Sequence, residues 1–167
     1  DWERVPLVLS AWGLASSPFD AWLALRGLAT MHLRVERACG TAGRVAEFLT
    51  QAESVEHVDY PGLALHPQHD LATSQFDGRY GSIVTFHLRG GRSAADAFIA
   101  AAKRIPFCPS LGEAATTLSH PESTSHRGLS AQEREALGIS GGTIRLSIGL
   151  ESSDFVVDAL WEALDGV

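Results

Sequence analysis

Lysine is almost absent from this chain. Lys103 is the only one among thirteen basic residues, twenty residues are acidic, and the formal net charge is −7. No basic patch is available to neutralise phosphates, which sets aside nucleic acid and anionic membranes as partners. Long hydrophobic runs are also missing. The most apolar stretch, Val5 to Ala15, is far shorter than a bilayer span and follows Asp1, Glu3 and Arg4 without a cleavage-site pattern, so neither a membrane anchor nor an export signal is expected there. Cysteine is confined to Cys39 and Cys108, without CxxC spacing or the density of a disulfide scaffold, and a reducing, cytoplasmic setting follows. Cys39 falls on a helical segment and Cys108 at a buried strand end. Small packed residues suit both places, with a nucleophilic Cys108 as the alternative. Met31 is the only methionine, so a processed N-terminus or a piece of something longer is expected. There is no P-loop, GxGxxG, internal repeat or low-complexity segment.

What is present is enough for an ordinary core: 167 residues, 45% hydrophobic and 20% charged. Asp1 to Ser16, with Trp2 and Trp12, shows no usable period. Ser17 is a plausible N-cap with Pro18 in the first helical turn, and Gly27 is expected to interrupt or kink that helix. Leu28, Met31, Val35, Ala38, Ala42, Val45 and Leu49 then form an apolar stripe on a helix of about six turns. Gly40 and Gly43 within it weigh against a coiled coil and favour a helix lying across a domain or joining two. From Ser54 the pattern changes and a new domain is expected to begin, with Val55 to Tyr60 reading as a strand ended by Pro61-Gly62. His66-Pro67-Gln68-His69 lacks a ligand set for zinc and instead opens a short helix through Leu71 and Ser74.

Gly81 to Leu88 is the clearest strand, stopped by Gly90-Gly91, with His87 on its surface. Ser93 is expected to cap a helix whose apolar face is Ala94, Ala97, Phe98 and Ala101, closed by Lys103-Arg104. Ile105 to Pro109 reads as an edge strand, because two prolines exclude a central one. Ser130 starts a short helix through Leu137 that Gly138 ends. Ser153 to Leu164 is the last helix, burying Phe155, Val156, Ala159, Leu160 and Leu164. The latter two-thirds thus alternates strands and helices, which predicts a small sheet with helices packed on one face.

One further strand carries the functional interest. In Gly142-Thr143-Ile144-Arg145-Leu146-Ser147-Ile148-Gly149-Leu150-Glu151 a period of two sets Ile144, Leu146 and Ile148 against Arg145 and Ser147. Two readings fit. Arg145 is a charge on the wet face of an antiparallel sheet, or a guanidinium held in a fixed direction to clamp a carboxylate through two parallel hydrogen bonds.

Taken together, Ser110-Leu111-Gly112, the run Thr117-Leu118-Ser119-His120-Pro121-Glu122-Ser123-Thr124-Ser125-His126, and the arginine strand resemble the C-terminal part of the Cys/Met-metabolism enzymes that use pyridoxal 5'-phosphate. Upstream, Ser17 to Trp22, Leu25 to Leu28, Arg34 to Arg37, Tyr60-Pro61-Gly62 and His66 to His69 extend the likeness. It covers nearly the whole chain from Ser16 onward. The family includes cystathionine γ-synthase, cystathionine lyases, methionine γ-lyase and O-acylhomoserine sulfhydrylases.

The resemblance implies an α/β fold: the C-terminal small domain of a fold-type-I, aspartate-aminotransferase-like enzyme, with a small, mainly antiparallel sheet. Residues 1–52 would be an N-terminal segment and long connecting helix from the cofactor domain, and residues 53–167 the substrate-side domain. It implies that Arg145 binds the α-carboxylate of an amino-acid substrate, with Ser110 beside it and Leu111, Gly112 and Ala115 as cleft candidates. Ala115 stands where many γ-lyases and γ-synthases have a glutamate, so the choice between β and γ chemistry, or elimination and replacement, stays open. His120 and His126 read as loop-ordering residues. The family's cofactor-linking lysine, phosphate-binding turn and pyridine-nitrogen aspartate have no counterpart here, and this chain alone is expected to be inactive. The family's usual tetramer implies a homo-oligomer. The alternative is a noncatalytic amino-acid-binding or oligomerisation module of the same fold.

Overall fold

The computed structural model describes residues 2–13 and 16–167. By internal contacts the chain divides into residues 1–34 and residues 35–167. In the first unit a 3-10 turn, Trp2–Arg4, leads into α1, Val5–Trp12, which Gly13 terminates in the left-handed conformation. This helix carries no legible period, because none of its residues is buried.

Helix α2, Pro18–Ala29, begins as expected: Ser17 accepts from the Asp20 N–H, and Asp20 returns the bond to the Ser17 N–H, a reciprocal cap. Gly27 does not interrupt α2. The break falls at Thr30, while the Gly27 carbonyl is kept bonded by the Arg34 guanidinium at 2.6 Å. Helix α3, Met31–Thr50, is the long helix, and its stripe is split in use. Leu28, Met31 and Val35 are exposed, whereas Ala38, Ala42, Val45 and Leu49 are buried in the core of residues 35–167.

That core lies against a four-stranded antiparallel sheet of order β1-β2-β4-β3, formed by Val55–Asp59, Ile83–Leu88, Thr143–Ser147 and Thr117–Ser119 respectively. Val58, Val84, Phe86, Leu118, Ile144 and Leu146 supply its apolar face. Beyond β1, Gly62 is required by packing: a Cβ there would stand 2.4 Å from the Tyr60 ring. Tyr60 is buried and donates to the Gly81 carbonyl at 3.0 Å, and burial pushes its phenol well above the usual range.

Helix α4 is His69–Phe76. Its His69 ring bonds the Pro61 carbonyl and stacks on Tyr80. Helix α5, Gly91–Ala101, starts before Ser93, with Gly90 rather than Ser93 at the N-cap. The tight Gly90-Gly91 turn lets the helix begin at once, which rotates its buried face to Ala95, Phe98 and Ala102. Ile105 to Pro109 does not become a strand. Pro106 and Pro109 lack N–H donors, and the segment reaches β3 through one parallel bridge, with the Cys108 N–H donating to Leu118 and the Leu118 N–H to Pro106. Cys108 is accordingly half-buried, while Cys39 is buried on α3.

Helix α6, Ala131–Ala136, has a second reciprocal cap, between Ser130 and Glu133. Helix α7, Ser153–Leu164, is capped by Ser152 and buries Val156, Ala159, Leu160, Ala163 and Leu164. Phe155 is not buried as its spacing suggested. It lies near the surface with the Arg104 guanidinium 4.4 Å from its ring centroid.

Candidate active-site face around Arg145

The sheet's second face is polar. Antiparallel pairing sets Arg145 opposite Thr85 on one side and Ser119 on the other, with Asp59 opposite Thr85 in turn. Side chains two apart on a strand share a face, so Thr143, Ser147, His87 and Thr117 join them. The β3–β4 half of this face is not wet: Thr143, Ser147, Thr117 and Ser119 are each at most 4% exposed. Loops cover it. The Gly112 N–H donates to the Ser147 hydroxyl at 3.2 Å, tying the Ser110 loop to β4.

Glu151 completes that attachment, accepting from the Thr116 N–H at 2.7 Å and the Thr116 hydroxyl at 2.8 Å. At the other end His120, 1% exposed, bonds the Gly141 carbonyl at 2.8 Å through Nε2 and the Ser123 hydroxyl at 2.9 Å through Nδ1. His120 thus orders its loop, as its sequence context suggests.

Arg145 is half-buried on the internal strand β4 and lines a cavity of about 230 Å³ with Asp59, Thr85, His87, His126 and Thr143. Its Nε is fully buried with no hydrogen-bond partner. Leaving a buried donor unpaired costs about 1–3 kcal/mol, more for a charged group, so Nε calls for an acceptor. Beside it, His57 Nε2 donates to Asp59 at 2.8 Å and His87 Nε2 at 3.1 Å, while His87 Nδ1 is 3.1 Å from the Thr143 hydroxyl. Burial alone would raise the Asp59 carboxyl; the hydrogen bonds and charge of His57 and His87 outweigh it and hold it below the usual carboxylate range.

The other residues singled out by sequence are placed as follows. Ser110 donates its hydroxyl to Glu113 at 3.0 Å and does not line the Arg145 cavity. Leu111, Gly112 and Ala115 are exposed on the same loop. Glu113 is thus an acidic residue two positions before Ala115. Asp59, Thr85, Thr143 and Glu151 were not anticipated as parts of this face. The alternations Thr85-x-His87 and Thr143-x-Arg145-x-Ser147 carried the pattern, but only pairing shows that they are neighbours.

Fold and face together define an α/β unit that presents one arginine, on an internal antiparallel strand, to a small half-open cavity. The chain belongs to the Cys/Met metabolism PLP-dependent enzyme family, whose profile matches residues 2–165. It is 42% identical over 142 residues to O-succinylhomoserine sulfhydrylase of Pseudomonas aeruginosa, a match covering 85% of this chain and 35% of that protein. The crystal structure of cystathionine gamma-lyase from yeast superposes with a TM-score of 0.88 at 37% identity, covering 99% of this chain and 42% of that one. Cystathionine gamma synthase from Xanthomonas oryzae pv. oryzae, in complex with aminoacrylate and cysteine, gives 0.84 at 40% identity, covering 93% of this chain and 40% of that one. The chain therefore spans well under half the length of each of these relatives.

Pyridoxal phosphate is the family's cofactor. The sole lysine, Lys103, is exposed just past the end of α5. Among the described residues, no group of three or more histidine, cysteine or acidic side chains could hold a metal ion, and no helix is long and apolar enough to cross a membrane.

Proposed function

We propose that this chain is the substrate-side part of a PLP-dependent enzyme of transsulfuration type, a C–S lyase or γ-replacement enzyme acting on cystathionine, methionine, cysteine or an O-acylhomoserine. In this reading Arg145 grips the substrate α-carboxylate. The observation that carries it is the half-buried Arg145 on an internal strand, lining a half-open cavity. A planar fork suits a carboxylate better than a lysine would, and a rigid strand fixes its direction. The cofactor supplies the bond-breaking chemistry when bound, while Arg145 contributes by orienting the amino acid toward it.

In the same reading Ser110, which here bonds Glu113 outside the Arg145 cavity, turns to the carboxylate when substrate is bound, with Leu111, Gly112 and Ala115 along the cleft. The Ser110–Glu113 contact and the Gly112–Ser147 tether support a loop held in one place relative to β4. Covalent attachment of the cofactor falls to residues outside this sequence, so the chain alone is inactive, and the complete enzyme is a homo-oligomer. The exposed Lys103 is also what a noncatalytic amino-acid-binding module would show. A structure of the full-length protein with cofactor and an amino acid bound tests the assignment. The expected result is a bidentate carboxylate on Arg145 at about 2.7–2.9 Å. A carboxylate held elsewhere, or a cofactor bonded to Lys103, would contradict it.

A further inference from the structure

Three buried polar atoms of the sheet's second face have no partner: Arg145 Nε, Ser119 Oγ and Thr117 Oγ1. They lie on neighbouring strands. Ser119 of β3 is paired directly across from Arg145 of β4, and Thr117 across from Ser147. Directly opposed residues in an antiparallel pair have Cβ atoms about 4.5–5.5 Å apart, within reach of an arginine Nε. An Nε–H can only donate, whereas a serine hydroxyl can accept. The two orphaned groups are therefore complementary as well as adjacent, and Ser119 is only 1% exposed. Arg145 as a whole is only half-buried, so its exposure lies in atoms other than Nε.

We propose that Ser119 is the positioning residue of the carboxylate site: its hydroxyl accepts the Arg145 Nε–H when a carboxylate engages the terminal nitrogens. The fork is then fixed in plane, with the Nε edge facing β3 and both Nη groups facing the ligand. An arginine without this anchor keeps its charge but loses the orientation that makes two parallel bonds possible together. Ser119 acts only through Arg145 and touches no substrate. This inference rests on the reading of Arg145 as the carboxylate receptor.

The test uses the full-length holoenzyme with two competing ligands that differ only in the carboxylate, L-norleucine and n-pentylamine, against turnover of whichever sulfur or activated-homoserine substrate it accepts. Ser119→Ala is expected to raise KM and to weaken norleucine by about tenfold, the scale of one hydrogen bond to a charged group. Pentylamine inhibition and kcat should stay within about twofold, since a positioning effect falls on carboxylate binding alone. Ser119→Thr, which keeps the hydroxyl, restores norleucine affinity. If Ser119→Ala lowers the yield of folded protein, Ser119→Cys gives the same readout with a near-isosteric, weak acceptor.

In a cycle with Arg145→Ala, Ser119→Ala should add nothing further. Independent, additive losses, an unchanged norleucine affinity in Ser119→Ala, or equal losses for both ligands would overturn the role of Ser119. If Arg145→Ala itself leaves the norleucine-to-pentylamine ratio unchanged, the carboxylate assignment fails instead, a separate outcome.

Discussion

At the scale of residues, the polar face is organised by pairs that satisfy or fail to satisfy one another. Asp59 is the satisfied case, held by His57 and His87. Its carboxyl is lowered below its ordinary value, so the unfolded chain binds the proton more tightly. The resulting stability is fully present above the unfolded value, about 3.9, and is lost as pH falls through the lower folded value. Half-exposure of Asp59 screens the effect and keeps it small. Asp59→Asn is therefore expected to flatten the acid side of a plot of thermal midpoint against pH, measured by circular dichroism between about pH 5 and pH 2. An acid limb as steep as that of the parent would show that Asp59 is not among its causes. Arg145 is the unsatisfied case. Its alternation with Ile144 and Leu146 was plain in the sequence, but the burial of its neighbours was not. A period of two states which side a residue faces and says nothing of the loops that later cover that side.

At the scale of elements, the fold was readable where local chemistry decides and unreadable where tertiary pairing does. Ser17, Ser130 and Gly138 mark helix ends through their own caps and turns, and β1, β2, β4 and α7 follow from periodicity. Strand β3 did not stand out, because Thr117-Leu118-Ser119 is too short to show a period and exists by pairing with β4. Helix α1 was hidden for the opposite reason, since a helix with no buried face has no stripe to read.

The loop carrying Ser110 is tied down at the far end of β4, where Gly149 allows the closest approach. A Cβ there would stand 2.4 Å from the Ala114 carbonyl oxygen and 2.5 Å from the Thr116 nitrogen. Backbone cannot yield as a flexible side chain can. Gly149→Ala is expected to push residues 110–116 off β4, break the Glu151–Thr116 clamp and cost about 2 kcal/mol or more in urea denaturation. A midpoint within error of the parent would mean that the loop is not fixed there.

At the scale of the whole molecule, the two units differ in what they bury. Residues 35–167 have a continuous core between the sheet and α3, α5 and α7. In the other unit, Leu7, Trp12, Trp22, Leu25 and Leu28 are all exposed. The chain also spans only 35% of the sulfhydrylase and 42% of the yeast lyase it resembles. Neither composition nor period could have assigned a carboxylate site to such a chain. The likeness of several separate blocks to one family is what suggests one, and the carboxylate role of Arg145 remains the proposal that its place on the internal strand supports.

The most direct measurement is steady-state kinetics of Arg145→Ala in the full-length enzyme. The expected result is a strongly raised KM and a loss of about 2 kcal/mol or more of transition-state binding, a fall in kcat/KM of about thirtyfold. An unchanged kcat/KM, with the variant folded and its cofactor bound, would remove Arg145 from the site.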